Sequence, residues 1–297
     1  MTPARRRDLG RALTRLADAS VAEVLSLPQK EGENCRRIGI TGPPGAGKST
    51  LISRLARSRL DGRGEIAILV IDPTSPLTGG AILGDRIRME ELEGEERIYI
   101  RSLASRASLD GLADNLADIL AALGGFGFSE VLIETVGAGQ LAPAIRALVD
   151  TLLLVLPPGA GDQVQAMKSG IQELADIFVI NKADEPGAPR LLQELKGVLK
   201  ERKLAEGGWQ APIVLCSLGE DRGIERLAAE IDRHQAWRAQ SPRFEGARDA
   251  AKAQHVGSLL GRRVGEVLRA LPPEALRQPI DALYRTVLKE LADRDPA

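Results

Sequence analysis

The chain has 297 residues, with 40 Lys plus Arg against 41 Asp plus Glu, 43% hydrophobic residues and only 3% aromatic ones. That length allows one large α/β domain with appendages or two small domains. The near-neutral balance argues against a protein that coats nucleic acid or an anionic membrane, and the scarcity of aromatics leaves little for base-stacking platforms.

Cys35 and Cys216 lie far apart in the chain, which suggests neither a disulfide framework nor a thiolate metal site and fits a reducing compartment. Arg5, Arg6 and Arg7 are followed by no apolar stretch of signal-peptide length, and no membrane-spanning run occurs elsewhere. The expectation is a soluble cytoplasmic protein.

In chain order, Leu9, Leu13, Leu16, Val24 and Leu27 recur at helical spacing before Pro28, so residues 1–34 read as a helical extension ending in the polar linker Gln29 to Asn34. Residues 35–242 change pattern. Apolar runs at Arg37 to Thr41, Ile66 to Asp72, Val131 to Glu134, Leu152 to Leu156, Ile177 to Asn181 and Ile213 to Cys216 alternate with helix-like stretches. This alternation predicts a mostly parallel sheet with helices on both faces. From residue 243 to 297 the strand signal stops. Val256, Leu260, Val264, Val267 and Leu271 form one helical stripe and Leu276, Ile280, Leu283, Val287 and Leu291 another, divided by Pro272 and Pro273. Those stripes either pack on the parent domain or meet a second copy in a homodimer.

The chemistry starts at Gly42-Pro43-Pro44-Gly45-Ala46-Gly47-Lys48-Ser49-Thr50, a G-x-x-x-x-G-K-[ST] loop placed directly after a strand and before a helix. Glycines let such a loop turn its backbone N–H groups toward phosphate oxygens; Lys48 then reaches the outer phosphates and Ser49 offers an oxygen to Mg²⁺. Asn181-Lys182-Ala183-Asp184 at the end of another strand fits the guanine-reading N-K-x-D pattern. Asp184 accepts from guanine N1–H and the exocyclic amine, a donor pair that adenine lacks, while the aliphatic stem of Lys182 covers the ring. Cys216-Ser217-Leu218, after the next strand, sits where a backbone N–H meets guanine O6.

Glu134-Thr135-Val136-Gly137 ends the strand expected beside the phosphate loop, so Glu134 is a Mg²⁺ candidate and the Gly137 amide a γ-phosphate contact. Asp72 and Asp85, at the two ends of a Gly- and Pro-rich connection, are candidates for Mg²⁺ or for activating water. The alternatives are an ordinary turn residue for Asp72 and a helix N-cap for Asp85. Gln140 stands two residues too late for the water-orienting glutamine of Ras-like GTPases.

These segments, together with Pro73 to Arg88 and Pro157-Pro158-Gly159-Ala160-Gly161-Asp162, resemble the MeaB/ArgK family of P-loop GTPases, which includes the methylmalonyl-CoA mutase-associated chaperones. The resemblance implies a Mg²⁺-dependent GTPase that gates delivery of adenosylcobalamin to a cobalamin-dependent acyl-CoA mutase and protects that enzyme. It also implies a Mg²⁺ and switch region at Asp72, Asp85 and Glu134, and a partner-responsive loop at Gly159 to Lys168 with Lys168 as its functional member. On the residues alone, Lys168 reads equally as a solvated helix-surface lysine. One departure is Gly137-Ala138-Gly139-Gln140-Leu141-Ala142, where the family commonly has G-V-G-Q-S-E.

Two rival functions carry different chemistry. A nickel-inserting metallochaperone GTPase needs clustered His and Cys, of which the chain offers only His234, His255 and two scattered cysteines. An ArgK-type phosphotransferase needs an acceptor other than water for the γ-phosphate, and the sequence displays no acceptor motif.

Overall fold

The computed structural model describes residues 1–27, 35–60, 62, 64–73, 87–105, 115–135, 145–166, 175–200, 207–217, 221–241 and 243–293. Their elements run α1 (Pro3–Asp18), α2 (Val21–Ser26), β1 (Arg36–Thr41), α3 (Lys48–Arg59), β2 (Ile66–Pro73), a 3₁₀ segment (Ile87–Leu92), β3 (Ile98–Ser105), α4 (Leu116–Gly125), β4 (Glu130–Thr135), β5 (Thr151–Leu156), α5 (Gly161–Ala166), β6 (Ile177–Asn181), α6 (Ala188–Lys200), β7 (Ile213–Cys216), α7 (Asp221–Gln240), α8 (Arg243–Ala270), α9 (Pro273–Leu276) and α10 (Ile280–Asp293).

The strands form one seven-stranded sheet in the order β3-β2-β4-β1-β5-β6-β7, and every pairing is parallel. Strands buried on both faces read as near-continuous apolar runs, which is why six of them are visible in the sequence. The seventh, β3, was not among the predicted strands. It is an edge strand whose Ile98, Tyr99 and Ile100 are hemmed by Arg97 and Arg101, so its apolar run is only three residues long.

Alternate residues serve opposite layers. Ile38, Ile40, Ile68, Val70, Leu132, Val155 and Val179 face α3 and α7. On the other face Leu69, Val131, Ile133 and Leu152 pack with α1 and α4, while Leu154, Leu156, Phe178 and Ile180 pack with α5 and α6. Helix α1 therefore belongs to the sheet's own core: Leu9 and Leu13, one turn apart, are fully buried there. Its start is set by Thr2, whose hydroxyl accepts from the Arg5 N–H, with Pro3 in the first turn. Helix α2 begins with a reciprocal Ser20/Glu23 capping box.

Two polar networks fasten the sheet at its amino-terminal edge. At the end of α3, Arg59 donates to both carboxylate oxygens of Glu130 at 2.7 and 2.5 Å and also reaches Asp232 at 3.0 Å. At the start of β5 and β6, Asp176 is paired with Arg146, accepts from the Leu152 N–H at 2.8 Å and lies 3.3 Å from His234 Nε2. The Thr151 hydroxyl meets His234 Nδ1 at 2.9 Å. This hydroxyl, imidazole and carboxylate line up as in a hydrolase, yet they are buried beneath Trp209 and Trp237. Their role is that of a strut.

Burial raises the Asp176 carboxyl, but His234 and the Arg146 charge outweigh it and hold the group at about 2, against 3.8 ordinarily. A carboxyl depressed on folding stabilises the protein above its unfolded value, and that contribution is lost as pH falls from about 4 through about 2. Asp176→Asn is therefore expected to lower stability at neutral pH by an amount on the order of 2 kcal/mol. The deficit relative to wild type should shrink across that acid window; denaturant titration at stepped pH measures it, and a constant deficit contradicts the assignment.

The carboxy-terminal helices divide their apolar residues. Val267 and Val287 are buried, whereas Val256, Leu260, Leu276, Ile280, Tyr284 and Leu288 are exposed. Helix α8 reaches back to the amino-terminal segment, where Arg262 donates to the Ala19 carbonyl at 2.9 Å and Glu266 accepts from the Val21 N–H at 3.1 Å. Among the described residues no helix is long and apolar enough to cross a membrane.

Candidate functional site

The carboxyl ends of β1, β4, β5 and β6 surround the loop from Gly42 to Ser49, at the point where the chain, having built β2, β3 and β4 on one side of β1, crosses to β5 on the other. In open α/β sheets this is where ligands bind. Two glycines make the loop possible. A Cβ on Gly42, at φ +153°, would sit 2.1 Å from the Val155 carbonyl oxygen, and one on Gly47, at φ +79°, would sit 2.5 Å from the Asn181 amide nitrogen. Pro44 and Gly45 are exposed at the loop's crest, Ala46 is buried beneath it, and Thr50 is half-buried in the first turn of α3.

Lys48, 6% exposed, donates to the carbonyl oxygens of Gly42 and Pro43 at 3.1 Å each. A phosphate oxygen can replace these neutral carbonyls with a stronger charge-assisted bond. Ser49 donates to Glu134 Oε1 at 3.0 Å, both side chains being buried. Glu134 reaches that position because β4 pairs with β1 in a register that sets it beside Ile40. A hydroxyl and a carboxylate together are hard oxygen donors, and the pair fits a divalent cation such as Mg²⁺.

Asp72 occupies the carboxyl end of β2, two residues beyond Val70, the strand partner of Glu134. The strand order thus brings Asp72 to the same edge as the loop. Asp85, Gly137, Gln140, Lys168 and Leu218 lie outside the described residues.

The N-K-x-D segment, expected from the sequence to read the base, follows β6. Asn181 donates its amide to the Ala46 carbonyl at 2.8 Å and to that of Gly47 at 3.3 Å, so its side chain is spent on joining this segment to the phosphate loop. Lys182 adopts a left-handed backbone at φ 57° and lies 3.6 Å from Glu185. Ala183 donates its N–H to the Cys216 carbonyl at 2.9 Å, which binds the ends of β6 and β7 together. Asp184 is exposed, as a residue must be to meet a ligand from solvent. Cys216 is 1% exposed, and burial pushes its thiol up to about 11, so it is an inert packing residue in this wall. Ser217 is buried beside it.

One participant carried no sequence signal. Arg54, two turns into α3, donates to the Ser217 carbonyl at 2.5 Å and to Asp221 Oδ1 at 3.0 Å, linking the helix that starts at Lys48 to the loop after β7.

A strand, a glycine loop closed over a lysine, and a serine facing a carboxylate on the adjacent strand define a P-loop nucleotide-binding protein. Residues 9–271 match the family described as methylmalonyl-CoA mutase-associated GTPase MeaB, and the chain belongs to that family. It is 39% identical over 240 residues to a Pyrococcus horikoshii protein named as an inferred GTPase, covering 80% of this chain and 75% of the relative. It is 32% identical over 255 residues to the mouse methylmalonic aciduria type A homolog, covering 85% of this chain and 61% of that protein. Among solved structures, a LAO/AO transport system kinase aligns over 99% of this chain and 98% of its own, with a TM-score of 0.59 at 21% identity. HypB from Helicobacter pylori, solved with nickel, aligns over 78% and 98%, with a TM-score of 0.50 at 16% identity. These two likenesses describe the fold.

Proposed function

We propose that the protein binds and hydrolyses GTP with Mg²⁺ and uses that cycle as a chaperone of an adenosylcobalamin-dependent acyl-CoA mutase, methylmalonyl-CoA mutase or a relative, in the reducing interior of the cell. The observation that carries the nucleotide half is the joining of two recognition elements: the amide of Asn181 fastens the segment bearing Asp184 to the loop bearing Lys48 and Ser49. Family membership supports the partner half.

In this reading Lys48 leaves its own loop carbonyls for the β- and γ-phosphate oxygens, and backbone N–H groups from Gly45 to Thr50 cradle the phosphates. Ser49 and Glu134, with Asp72 and Asp85, hold Mg²⁺, which neutralises charge developing on the transferred phosphoryl group. Asp184 reads guanine N1–H and the exocyclic amine, Lys182 covers the ring, and the loop beginning at Cys216 and Ser217 faces O6. Gly137 contacts the γ-phosphate, and Lys168 couples the site to the mutase. The domain plan that serves this is a GTPase unit of residues 35–242 with a helical arm 243–297 and an amino-terminal segment 1–34 whose α1 packs into the sheet's core.

Base choice gives a direct expectation: GDP should bind at least about tenfold more tightly than ADP, a modest demand on a carboxylate that pairs with two donors. Calorimetry with both nucleotides checks it, and Asp184→Asn should erase most of the difference. The partner reading is tested by adding purified methylmalonyl-CoA mutase to a phosphate-release assay. Stimulated release supports it; γ-phosphate appearing on a protein acceptor instead favours a kinase.

The exposed apolar residues on α8 and α10 support a homodimer built through these arms. Light scattering should give twice the chain mass, and the pair Leu260→Lys with Ile280→Lys should halve it. For metal insertion the described residues offer little: His234 is stacked on Trp237, His255 faces Asp118 at 3.3 Å, and Cys35 precedes β1 while Cys216 ends β7.

A further inference from the structure

We propose that the outward face of α1 is a docking surface for an acidic helix of a partner protein, whose carboxylates at every fourth residue meet Arg7, Arg11 and Arg15. The surface lies on the face of the sheet opposite α3 and owes nothing to the nucleotide reading.

The amino-terminal arginines divide by task. Arg5 is paired with Glu65 and donates to the Phe126 carbonyl, and Arg6 donates to the Ile98 carbonyl at 2.7 Å, so these two pin α1 to the body of the domain. Arg7, Arg11 and Arg15 are exposed, and among the described residues their side chains form no ion pair or hydrogen bond. At about 100° per residue they fall within an arc of about 80°. That arc is opposite Leu9, Leu13 and Leu16, which are buried in the core. An open groove of about 490 Å³ is lined by the three arginines with Gly10 and Thr14. Arg101, on the edge strand β3, adds a fourth cation at its flank by donating to the Gly10 carbonyl and the Thr14 hydroxyl at 3.0 Å each.

Such a row is unfavourable to the helix by itself. Like charges four residues apart repel, and cations near a helix amino terminus oppose its dipole, with no acid in the first turn of α1 to offset them. A local conflict of this kind points to a surface shaped for a partner. The layout of the charge selects the occupant. Four residues of helix rise about 6 Å, so the row spans about 12 Å and matches a second helix with Asp or Glu at the same interval. Asp8 and Asp18, both exposed, stand at its two ends, so the positive strip is about two turns long. A nucleic-acid duplex carries a charge about every 1.7 Å and would run onto those acids. A membrane surface is gripped by an apolar helix face, and that of α1 is spent on the sheet. A short acidic helix meets the arginines and clears both ends.

The test uses the full-length protein in about 10 mM salt, where screening is weak. The main probe is a labelled, alanine-rich helical peptide of about twenty residues with glutamate at every fourth position, read by fluorescence anisotropy. A peptide of the same composition with its glutamates spread around the helix, a DNA duplex and phosphatidylserine vesicles are the comparisons. The patterned peptide should bind at least about tenfold more tightly than the spread one, and the triple variant Arg7→Gln, Arg11→Gln, Arg15→Gln should lose at least about tenfold, the scale of three exposed ion pairs at low salt. That variant should keep its GDP affinity and melt no lower than wild type, because repelling neighbours have been removed. The reversal Arg7→Glu, Arg11→Glu, Arg15→Glu should prefer the same peptide with lysine in place of glutamate. Equal binding of the two glutamate peptides, undiminished binding in the triple variant, or tighter binding of the duplex or the vesicles than of the patterned peptide overturns the proposal.

Discussion

Replacing Lys48 with alanine is expected to reduce GTP hydrolysis at least about a hundredfold, the usual scale for removing a group that stabilises transition-state charge. The side chain is 6% exposed, and its ammonium is held 3.1 Å from two loop carbonyls that are neutral and replaceable. At the mouth of this loop it is positioned to meet the phosphates as negative charge moves toward the leaving group. Lys48→Arg should not rescue, because a planar guanidinium does not reproduce a compact ammonium set 3.1 Å from two loop carbonyls. Single-turnover phosphate release measures the loss. A variant that hydrolyses GTP at the wild-type rate would remove Lys48 from the chemistry.

A second large effect should appear far from the nucleotide. Arg59 and Glu130 are 1% and 0% exposed, and the two bonds between them join the end of α3 to the start of β4. Arg59→Met leaves a carboxylate buried without its cation, which costs about 3–5 kcal/mol. In a domain of this size that is roughly a 10 °C fall in the thermal midpoint. Glu130→Leu added to Arg59→Met should restore most of it, since a buried ion pair contributes little over a well-packed apolar pair. Scanning calorimetry of the single and double variants checks both statements. If the double variant is no better than the single one, the cost lies in packing.

The glycine loop, the strand-end carboxylate and the N-K-x-D segment were visible in the sequence because each is a short local pattern attached to an apolar strand. Gly42 to Thr50 needs no knowledge of the rest of the chain. Strand β3 was missed because its apolar residues Ile98 to Ile100 are too few to register and it lies at the sheet edge. Arg54, Arg59 and His234 were silent for another reason: their partners lie far away in sequence. Arg54 meets Ser217 across 163 residues, Arg59 meets Glu130 across 71, and His234 meets Thr151 across 83. Single-sequence periodicity contains no term for such pairs. The Asn181 amide shows the same limit, since four letters mark the residue while its bond to Ala46 spans 135 positions.

The strut beneath β5 and β6 also gives the molecule an optical property. The chain has two tryptophans, and both belong to that strut: Trp209 is edge-on to His234 at 4.8 Å and Trp237 stacks on the same ring at 5.6 Å. They sit at the amino ends of strands whose carboxyl ends hold the nucleotide site, so a β-strand's length, about 17–20 Å, separates emitter from ligand. Intrinsic fluorescence therefore reports the packing of the far edge of the sheet and is not quenched by a bound base. A nucleotide-dependent change in emission would mean that strain had been conducted along β5 or β6, making the sheet a lever between the two edges.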